Sequence, residues 1–377
     1  MGDAARPARS GALPTLATLR EAVPARCFER RLTTSLAYLA RSLAICAALF
    51  GAARTVLDVA PLSGAACIGA YAVYAACAAY ALTQGTALVG LWVIAHECGH
   101  HAFSERAWLD DAVGFVLHSA LLVPYFSWQA SHARHHAHTG HLALGETWVP
   151  PARADVRLVA PLARAVGNRV YGALFLLAAL VVGWPAYLAF NVTGGRARSG
   201  PAPYWKPFGH DHFSPTSALF APSLGARVAL STLGVLAAAY AVYAAWPSSL
   251  ALYLAPLAVT NAWVVWYTLL HHTAPRVPHH GADAWTWLEG ALGTVDRDYG
   301  VFDWLHHNIG STHVAHHLFP RIPHYHAKEA TRCIARALGA HYRHDARPVA
   351  RAAWEIATTC HFVDALDGAQ YFRAFGA

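Results

Sequence analysis

The sequence predicts an all-α integral membrane protein with a single domain, and three observations lead to that fold class. Of its 377 residues, 56% are hydrophobic and only 13% are charged, whereas soluble domains carry about 25% charged residues. Two stretches, 59–96 and 228–270, contain no acidic or basic residue, and each exceeds the roughly 20 residues that a helix needs to cross a bilayer. Histidines, of which the chain has 25, stand at the end of both stretches. Membrane helices that lead into histidine clusters are therefore expected.

The N-terminal segment, residues 1–41, is expected to lie in the cytosol. It contains seven arginines against three acidic residues and has no apolar core of signal-peptide type at its start. The net charge of +7 suits an anionic membrane surface, and no nucleic-acid-binding motif accompanies it. The seven cysteines form no CxxC pair, so we predict that they are reduced packing residues.

A first membrane hairpin is predicted for residues 42–96. Its first span, Ser42–Ala60, is interrupted by Arg54, whose long side chain can reach an interface. Residues 61–64 offer a turn. A helix over Cys67–Ala95 would be about 43 Å long, which exceeds the roughly 30 Å hydrocarbon core. The helix can therefore cross the bilayer and still raise the histidines that follow it above the lipid.

A second hairpin is predicted for residues 228–270, with its turn at Pro247-Ser248-Ser249. Two further apolar stretches, Ala112–Trp128 and Val170–Phe190, are ambiguous. If the histidine clusters meet on one side of the membrane, an even number of crossings must separate them, so both stretches are expected to be in-plane or re-entrant helices. Six ordinary spans are the alternative. The predicted order is a cytosolic segment (1–41), a hairpin (42–96), cytosolic or interfacial helices (97–227), a second hairpin (228–270) and a cytosolic cap (271–377).

Three histidine clusters with similar spacing predict a metal centre. They are His96-Glu97-Cys98-Gly99-His100-His101, His132-Ala133-Arg134-His135-His136 and His313-Val314-Ala315-His316-His317. Positions i, i+3 and i+4 of a helix share a face, so each cluster directs two or three imidazoles one way. Imidazole suits Fe, Zn, Cu and Ni. Eight ligands exceed the needs of one metal and indicate two: His96, His100, His132, His135, His136, His313, His316 and His317.

Three other kinds of metal site compete with this interpretation. Residues 96–100 fit the HExxH pattern of zinc proteases, with Glu97 as general base, but such a site leaves the other two clusters without a role. A carboxylate-bridged di-iron bundle needs further ligating acids that the sequence does not supply. A histidine-rich metal transporter is the third alternative, although ordered HxxHH spacing argues against loose loop histidines.

The three clusters resemble those of the membrane fatty acid desaturases, and the text around them resembles the plant and algal microsomal oleate delta-12 desaturases. The resemblance runs from about Leu13 to Tyr371. The stretches that carry it are WVIAHECGHHAFS (92–104), LLVPYFSW (121–128), GWP (183–185), YLAFNV (187–192), TVDRDYG (294–300) and THVAHHLF (312–319).

This resemblance implies an activity, cofactors and partners. The expected enzyme is an acyl-lipid delta-12 desaturase that converts oleoyl to linoleoyl chains with two non-haem irons, O₂ and two electrons. Omega-3 desaturase, hydroxylase, acetylenase and conjugase are alternative activities. The implied substrate is an acyl chain of a membrane lipid, most simply oleate esterified to phosphatidylcholine, and the implied donor is cytochrome b5 with its reductase. The implied location is the endoplasmic reticulum, with the histidine clusters facing the cytosol.

The resemblance also assigns roles to individual residues. It implies a ninth ligand at the end of the last membrane helix, where His272 fits better than His271. The di-iron centre itself carries the chemistry, because side chains cannot break an unactivated C–H bond, and no protein general base is expected. Asp296 and Asp298 could orient imidazoles, or instead cap a helix or pair with Arg297. The possible additional or supporting residues are His101, Asn308, Asn261, Asp296 and Asp298.

Overall fold

The computed structural model describes residues 12–59, 66–195 and 209–376. Within these ranges the chain forms thirteen α-helices and one sheet of two short antiparallel strands. The helices are α1 (Leu16–Ala22), α2 (Leu32–Val59), α3 (Ala66–Gly99), α4 (Ala107–Ser119), α5 (Tyr125–Ala137), α6 (Ala160–Phe190), α7 (Gly225–Ala244), α8 (Ala255–His272), α9 (Trp287–Ala291), α10 (Val301–Leu305), α11 (His313–Leu318), α12 (His324–Leu338) and α13 (Val349–Thr359). The strands are β1 (His279–His280) and β2 (Ala369–Gln370). The predicted all-α class is confirmed.

Five helical segments within the described residues are long and apolar enough to cross a membrane. They are Leu32–Val56, Tyr71–Gly99, Ala160–Phe190, Pro222–Ala244 and Leu250–His272. The helices predicted for the two hairpins are therefore present, and the first of them begins ten residues earlier than expected. The turn predicted at residues 61–64 lies outside the described residues.

The two ambiguous stretches differ from each other. Ala112–Trp128 is divided between α4 and α5, each of 13 residues and therefore only about 20 Å long, too short to cross the hydrocarbon core. Val170–Phe190 belongs to α6, which has 31 residues and bends at Gly167, where φ is +81°. By length and composition α6 could span a membrane, so its in-plane placement stays a prediction.

Helix α3 organises the interior, because α2, α4 and α8 all pack against it, and α6 packs against α8. Its residues Val89, Trp92 and Val93 enter the main hydrophobic core together with Trp184 of α6 and Val264 of α8. At 34 residues, α3 extends about 51 Å. Its C-terminal end therefore reaches well beyond a single hydrocarbon core.

The helices after α8 form a cap over this end of α3. A second core holds α11 and α12 against α1, with Leu19 and Val23 packed beside Leu318 and Ile334. The loop before α11 is tied to the long helices through its own histidine, since His306 contacts the Tyr267 hydroxyl and the Thr86 carbonyl at 2.8 Å each. These contacts hold the third histidine cluster over the end of α3.

Candidate metal centre

The last turns of α3 supply the first part of the centre. His96 and His100 stand four residues apart and share a helix face. His132 of α5 lies between them, with its Nε2 atom 2.9 Å from the Nε2 atom of each. His136 of α5 and His316 of α11 complete this group, and their Nε2 atoms lie 3.1 Å apart. Ligand atoms of all five residues, which we call set one, lie within 4.8 Å of one another.

A second group lies beside the first. His135, His272 and His317 likewise hold their ligand atoms within 4.8 Å. The Nε2 atom of His313 lies 3.0 Å from that of His272 and 3.1 Å from that of His317, so His313 is a fourth member. We call these four residues set two.

The spacing of these nitrogens matches that of ligands on a shared metal. Two imidazole nitrogens that bind one ion at right angles, each about 2.1 Å from it, stand about 3.0 Å apart, and the Nε2 separations here are 2.9–3.1 Å. Burial lowers the pKa of His135 and of His316 to about 3. It therefore keeps both imidazoles neutral, which is the form that binds metal. Nine neutral imidazoles in two sets fit two metals of the kind that imidazole favours.

The histidine clusters are divided between the sets rather than assigned whole. His132 and His136 of the second cluster join set one, while His135 turns to set two. In the third cluster His313 and His317 join set two, while His316 turns to set one. The expectation that each cluster faces one way is therefore wrong for the second and third clusters, whereas His96 and His100 of the first cluster join the same set. Viewed down the helix axis, the side chains of residues i+3 and i+4 lie on opposite sides of the side chain of residue i. They point about 100° apart, so each can face a different set.

His272 and His271 have different surroundings. His272 enters set two, whereas the His271 ring contacts the Gly310 carbonyl at 3.3 Å and stacks on His313 at 3.8 Å between ring centroids. His271 therefore supports a ligand and is not one of the nitrogens gathered in either set.

The structure also locates the possible additional or supporting residues. His101 follows the end of α3 in a left-handed conformation, with φ of +54°, and belongs to neither set. Asn261 lies eleven residues before His272 on the continuous helix α8, about 16 Å along its axis. Asn308 contributes its backbone, accepting a hydrogen bond from the Thr312 hydroxyl at 2.9 Å. For these three residues a role at the metals stays a prediction.

The two aspartates have different roles from each other. Asp296 is fully buried, and its carboxylate accepts hydrogen bonds from the Val314 backbone N–H at 2.8 Å and from the Tyr342 hydroxyl at 2.6 Å. It thus caps the start of α11, the capping role considered for it above, and burial raises its pKa to about 6. Asp298 is exposed and lies 3.6 Å from His344 Nε2. Neither aspartate is observed to hold an imidazole of the two sets.

Glu97, the general base of the zinc-protease alternative, contacts the cap instead of the metal sets. Its Oε2 atom accepts a hydrogen bond from the His324 backbone N–H at 2.9 Å and lies 3.5 Å from His324 Nδ1. The carboxylate therefore holds the start of α12. A metal-bound water on set one would find this group already engaged.

Two supporting features were not evident from the sequence. Thr139 donates its hydroxyl hydrogen to the His135 carbonyl at 2.6 Å, and its oxygen lies 3.2 Å from His317 Nδ1. Trp128 stacks on His132 with ring centroids 4.6 Å apart. The i, i+4 position of Thr139 after His135 is the only local signal for the first feature. The second depends on tertiary packing.

A cavity of about 550 Å³ opens beside both sets and has a mostly apolar wall. Among its lining residues are His96 and His132 of set one and His135, His272 and His313 of set two. Its volume lies within the roughly 300–1,000 Å³ typical of small-molecule sites. The apolar lining side chains include Trp92, Trp128, Trp148, Phe175, Trp184 and Val265.

The fold and the site define a helical membrane protein in which two sets of histidines that could hold metal lie beside an apolar cavity. A family model described as fatty acid desaturase matches residues 69–347, and the chain belongs to that family. It is therefore an oxidoreductase, as the resemblance implies, and the zinc-protease and transporter alternatives find no support.

Three relatives give the range of activities around this chain. The Delta(12)-acyl-lipid-desaturase of Punica granatum is 42% identical over 364 residues, which cover 94% of this chain and 88% of the relative. The "Omega-6 fatty acid desaturase, endoplasmic reticulum" of Brassica juncea is 40% identical over 357 residues, covering 93% and 88%. The "Oleoyl-12-hydroxylase FAH12" of Ricinus communis is 40% identical over 364 residues, covering 94% and 88%.

Proposed function

We propose that this protein is an acyl-lipid delta-12 desaturase that inserts a second cis double bond into oleoyl chains. The observation that carries the proposal is the position of nine buried or half-buried histidines, grouped in two sets, beside an apolar cavity. The names of the Punica granatum and Brassica juncea relatives support the regiochemistry.

Two irons are the metals that fit this proposal, held by His96, His100, His132, His136 and His316 in one set and by His135, His272, His313 and His317 in the other. With two irons bound there, O₂, two electrons and two protons would remove two hydrogens from neighbouring methylene groups and leave two molecules of water as the other products. Imidazole nitrogens are suitable ligands for iron. Because neutral imidazoles carry no negative charge, they would not balance the positive charge of the metals.

The chain's own residues bind and orient the substrate. The wall of tryptophan and aliphatic side chains excludes water and takes up an acyl chain by apolar burial. Trp148 is fixed in that wall because its indole N–H donates to the Thr268 hydroxyl at 2.9 Å. A chain held against such a wall presents a fixed methylene to the two sets, so the regiochemistry depends on the shape of the cavity.

No protein acid or base is assigned in this mechanism. The nearby carboxyl groups, Glu97 and Asp296, are hydrogen-bonded to the backbone of the cap and serve to hold α11 and α12. Proton supply therefore falls to water and to the donor complex.

The substrate carrier, electron donor and location are parts of the same proposal. The substrate is an oleoyl group of a membrane lipid, with phosphatidylcholine as the proposed carrier, and the donor is cytochrome b5 with its reductase. The enzyme is proposed to lie in the endoplasmic reticulum, as the name of the Brassica juncea relative suggests, with both sets facing the cytosol.

A hydroxylase is the second candidate, because the oleoyl hydroxylase of Ricinus communis is as similar to this chain as the Brassica juncea desaturase. Both outcomes would use the same histidines and differ in what happens at the substrate carbon.

Expression in a host that makes oleate but no linoleate tests the proposal. Gas chromatography of the total fatty acids is expected to show linoleate in the wild type and none with His313→Ala at equal protein level. A hydroxylated product would replace the first candidate with the second. Absence of any new fatty acid from a well-expressed, iron-loaded protein would contradict both.

A further inference from the structure

A separate group of potential metal ligands lies on the cap, away from both histidine sets. The Cys27 sulfur, an imidazole nitrogen of His326 and a carboxylate oxygen of Glu329 all lie within 4.8 Å of one another. Cys27 belongs to the short 3₁₀ turn Ala25–Phe28. His326 and Glu329 stand three residues apart on α12 and so share a helix face. The cluster therefore joins two segments that are 299 positions apart in the chain.

Within the cluster, one potential metal-ligand atom, His326 Nε2, has no hydrogen-bond partner. The His326 Nε2 atom is buried and has no hydrogen-bond partner, a state that costs free energy unless something occupies it. Glu329 forms an ion pair with Arg26 through its Oε1 atom and is also hydrogen-bonded to the Cys27 thiol. Cys27 is fully buried, whereas His326 and Glu329 are half-buried, so an ion can reach the group from the α12 side.

We propose that Cys27, His326 and Glu329 bind a zinc-class divalent cation, with water in the fourth position. A thiolate, an imidazole and a carboxylate are the three kinds of ligand that Zn²⁺ accepts in proteins, and the thiolate separates this site from the all-histidine sets. Ligands that share a zinc ion stand about 3.3–3.8 Å apart. The group therefore has to close by about 1 Å at its widest, a movement that the half-exposed side chains of α12 allow.

Binding has to displace the thiol proton. Burial and the neighbouring Glu329 carboxylate raise the pKa of Cys27 to about 11, and the thiol itself hydrogen-bonds to Glu329. The metal replaces that proton as the partner of both sulfur and carboxylate, so affinity increases as the pH rises. Arg26 is the cation that faces Glu329 and opposes the bound metal, whereas the two negative charges of the Cys27 thiolate and the Glu329 carboxylate balance the two positive charges of the ion.

The consequence of binding is structural. Leu19 and Val23, close to Cys27 in the chain, pack in the same core as Leu318 of α11, and the Arg31 backbone N–H donates to the Tyr325 hydroxyl at 2.8 Å. A metal between the 3₁₀ turn and α12 would fix the N-terminal segment to the part of the cap that follows the third histidine cluster. This role is independent of the fatty acid product.

Cobalt(II) absorption tests the site without reference to activity. Full-length protein is purified in detergent without a histidine tag, stripped with a chelator, and titrated with Co²⁺ and then with Zn²⁺. A thiolate-to-cobalt charge-transfer band is expected, because the histidine sets contain no thiolate, and Zn²⁺ is expected to remove it. Cys27→Ser should abolish the band, and His326→Asn and Glu329→Gln should weaken cobalt binding. Cys333→Ser, which changes the cysteine of α12 that neighbours Cys27, should leave the band intact.

Two results would overturn the proposal. One is the absence of a thiolate band in cobalt-loaded wild-type protein, and the other is a band that survives Cys27→Ser. If Cys27→Ser does not accumulate, Glu329→Gln decides, because it keeps the cysteine and removes only a charged ligand. If the cobalt affinity measured from the thiolate band is unchanged in Glu329→Gln, the site is rejected, whether or not the protein makes linoleate.

Discussion

The Nε2 atoms of His135 and His272 lie 3.1 Å apart, although 137 positions separate the two residues. This contact makes the end of α8 part of set two. It predicts that a substitution at His272 removes the iron of set two and leaves that of set one. His272→Ala is expected to lower bound iron from about two to about one per chain and to reduce desaturation by at least about 100-fold. His271→Gln should keep both irons, because an amide N–H can still donate to the Gly310 carbonyl. Iron analysis of purified protein checks both, and equal iron loss in the two variants would contradict the assignment.

The neighbours His100 and His101 offer a second matched comparison. His100→Asn should lose iron and activity, since its imidazole belongs to set one. His101→Asn should retain at least about half of both, because His101 belongs to neither set and asparagine tolerates its left-handed backbone at φ +54°. Iron content and the linoleate-to-oleate ratio are the measurements. Loss of iron in His101→Asn would make that residue a tenth ligand.

Thr139 orients a ligand of set two through His317 Nδ1. Thr139→Val removes the hydroxyl while keeping the side-chain shape, and we expect iron affinity to fall about 10- to 100-fold, the usual effect of losing such a partner. Thr139→Ser retains the hydroxyl and serves as control. The rate at which a chelator removes iron measures the effect, and identical rates for valine and serine would show that the contact is unimportant.

Gly183 lines the cavity on α6, and a Cβ atom there would lie 3.4 Å from Val265 Cγ2, an ordinary contact. Gly183→Ala should therefore be tolerated. Gly183→Leu should fill the cavity and lower desaturation at least about tenfold, because overpacking displaces the acyl chain. Iron content should stay at the wild-type value in both. Full activity of the leucine variant would contradict the use of this cavity by the substrate.

Glu146 predicts a pH dependence of stability. It is 1% exposed, and burial raises its pKa from 4.5 to about 7 although Arg134 Nε lies 3.3 Å away and opposes the shift. The buried Tyr187 phenol is the other titratable group that faces it. Since the folded protein holds this proton more tightly than the unfolded chain, its contribution is present below about pH 4.5 and is lost as the pH rises to about 7.

The size of that effect is roughly 3 kcal/mol at about 1.4 kcal/mol per pKa unit. Thermal unfolding in detergent between pH 5 and 7.5 should therefore show a decreasing Tm in the wild type. Glu146→Gln, which cannot ionise, should show a smaller decrease over the same range. A parallel decrease in both proteins would assign the pH dependence to other groups.

The membrane helices were predictable because long uncharged runs have few alternatives to a bilayer. The sequence assigns residues 1–41 to the cytosolic segment, whereas α2 begins at Leu32 and includes Arg41. In the fold the Arg41 guanidinium lies over the Trp304 ring, 4.6 Å from its centroid. A single cation can thus sit inside a long helix when an aromatic surface covers it.

Local spacing selects eight of the nine grouped histidines and the family resemblance adds His272, whereas the division of the nine between two sets follows from neither. In a helical pattern, residues i+3 and i+4 are both neighbours of residue i. Which set each of them joins depends on the position of the partner helices. The same reason limits the aspartates. Asp296 and Asp298 stand two residues apart in the chain, yet one is buried under α11 and the other is exposed.

The second and third clusters each divide their histidines between the two sets, and this division couples the positions of the sets. Adjacent residues on α5, His135 and His136, serve different sets, and so do His316 and His317 on α11. A rotation of either helix about its axis carries both of its imidazoles in the same sense, so neither set can be adjusted without disturbing the other. The separation between the two sets is thereby tied to the angular step of the α-helix itself.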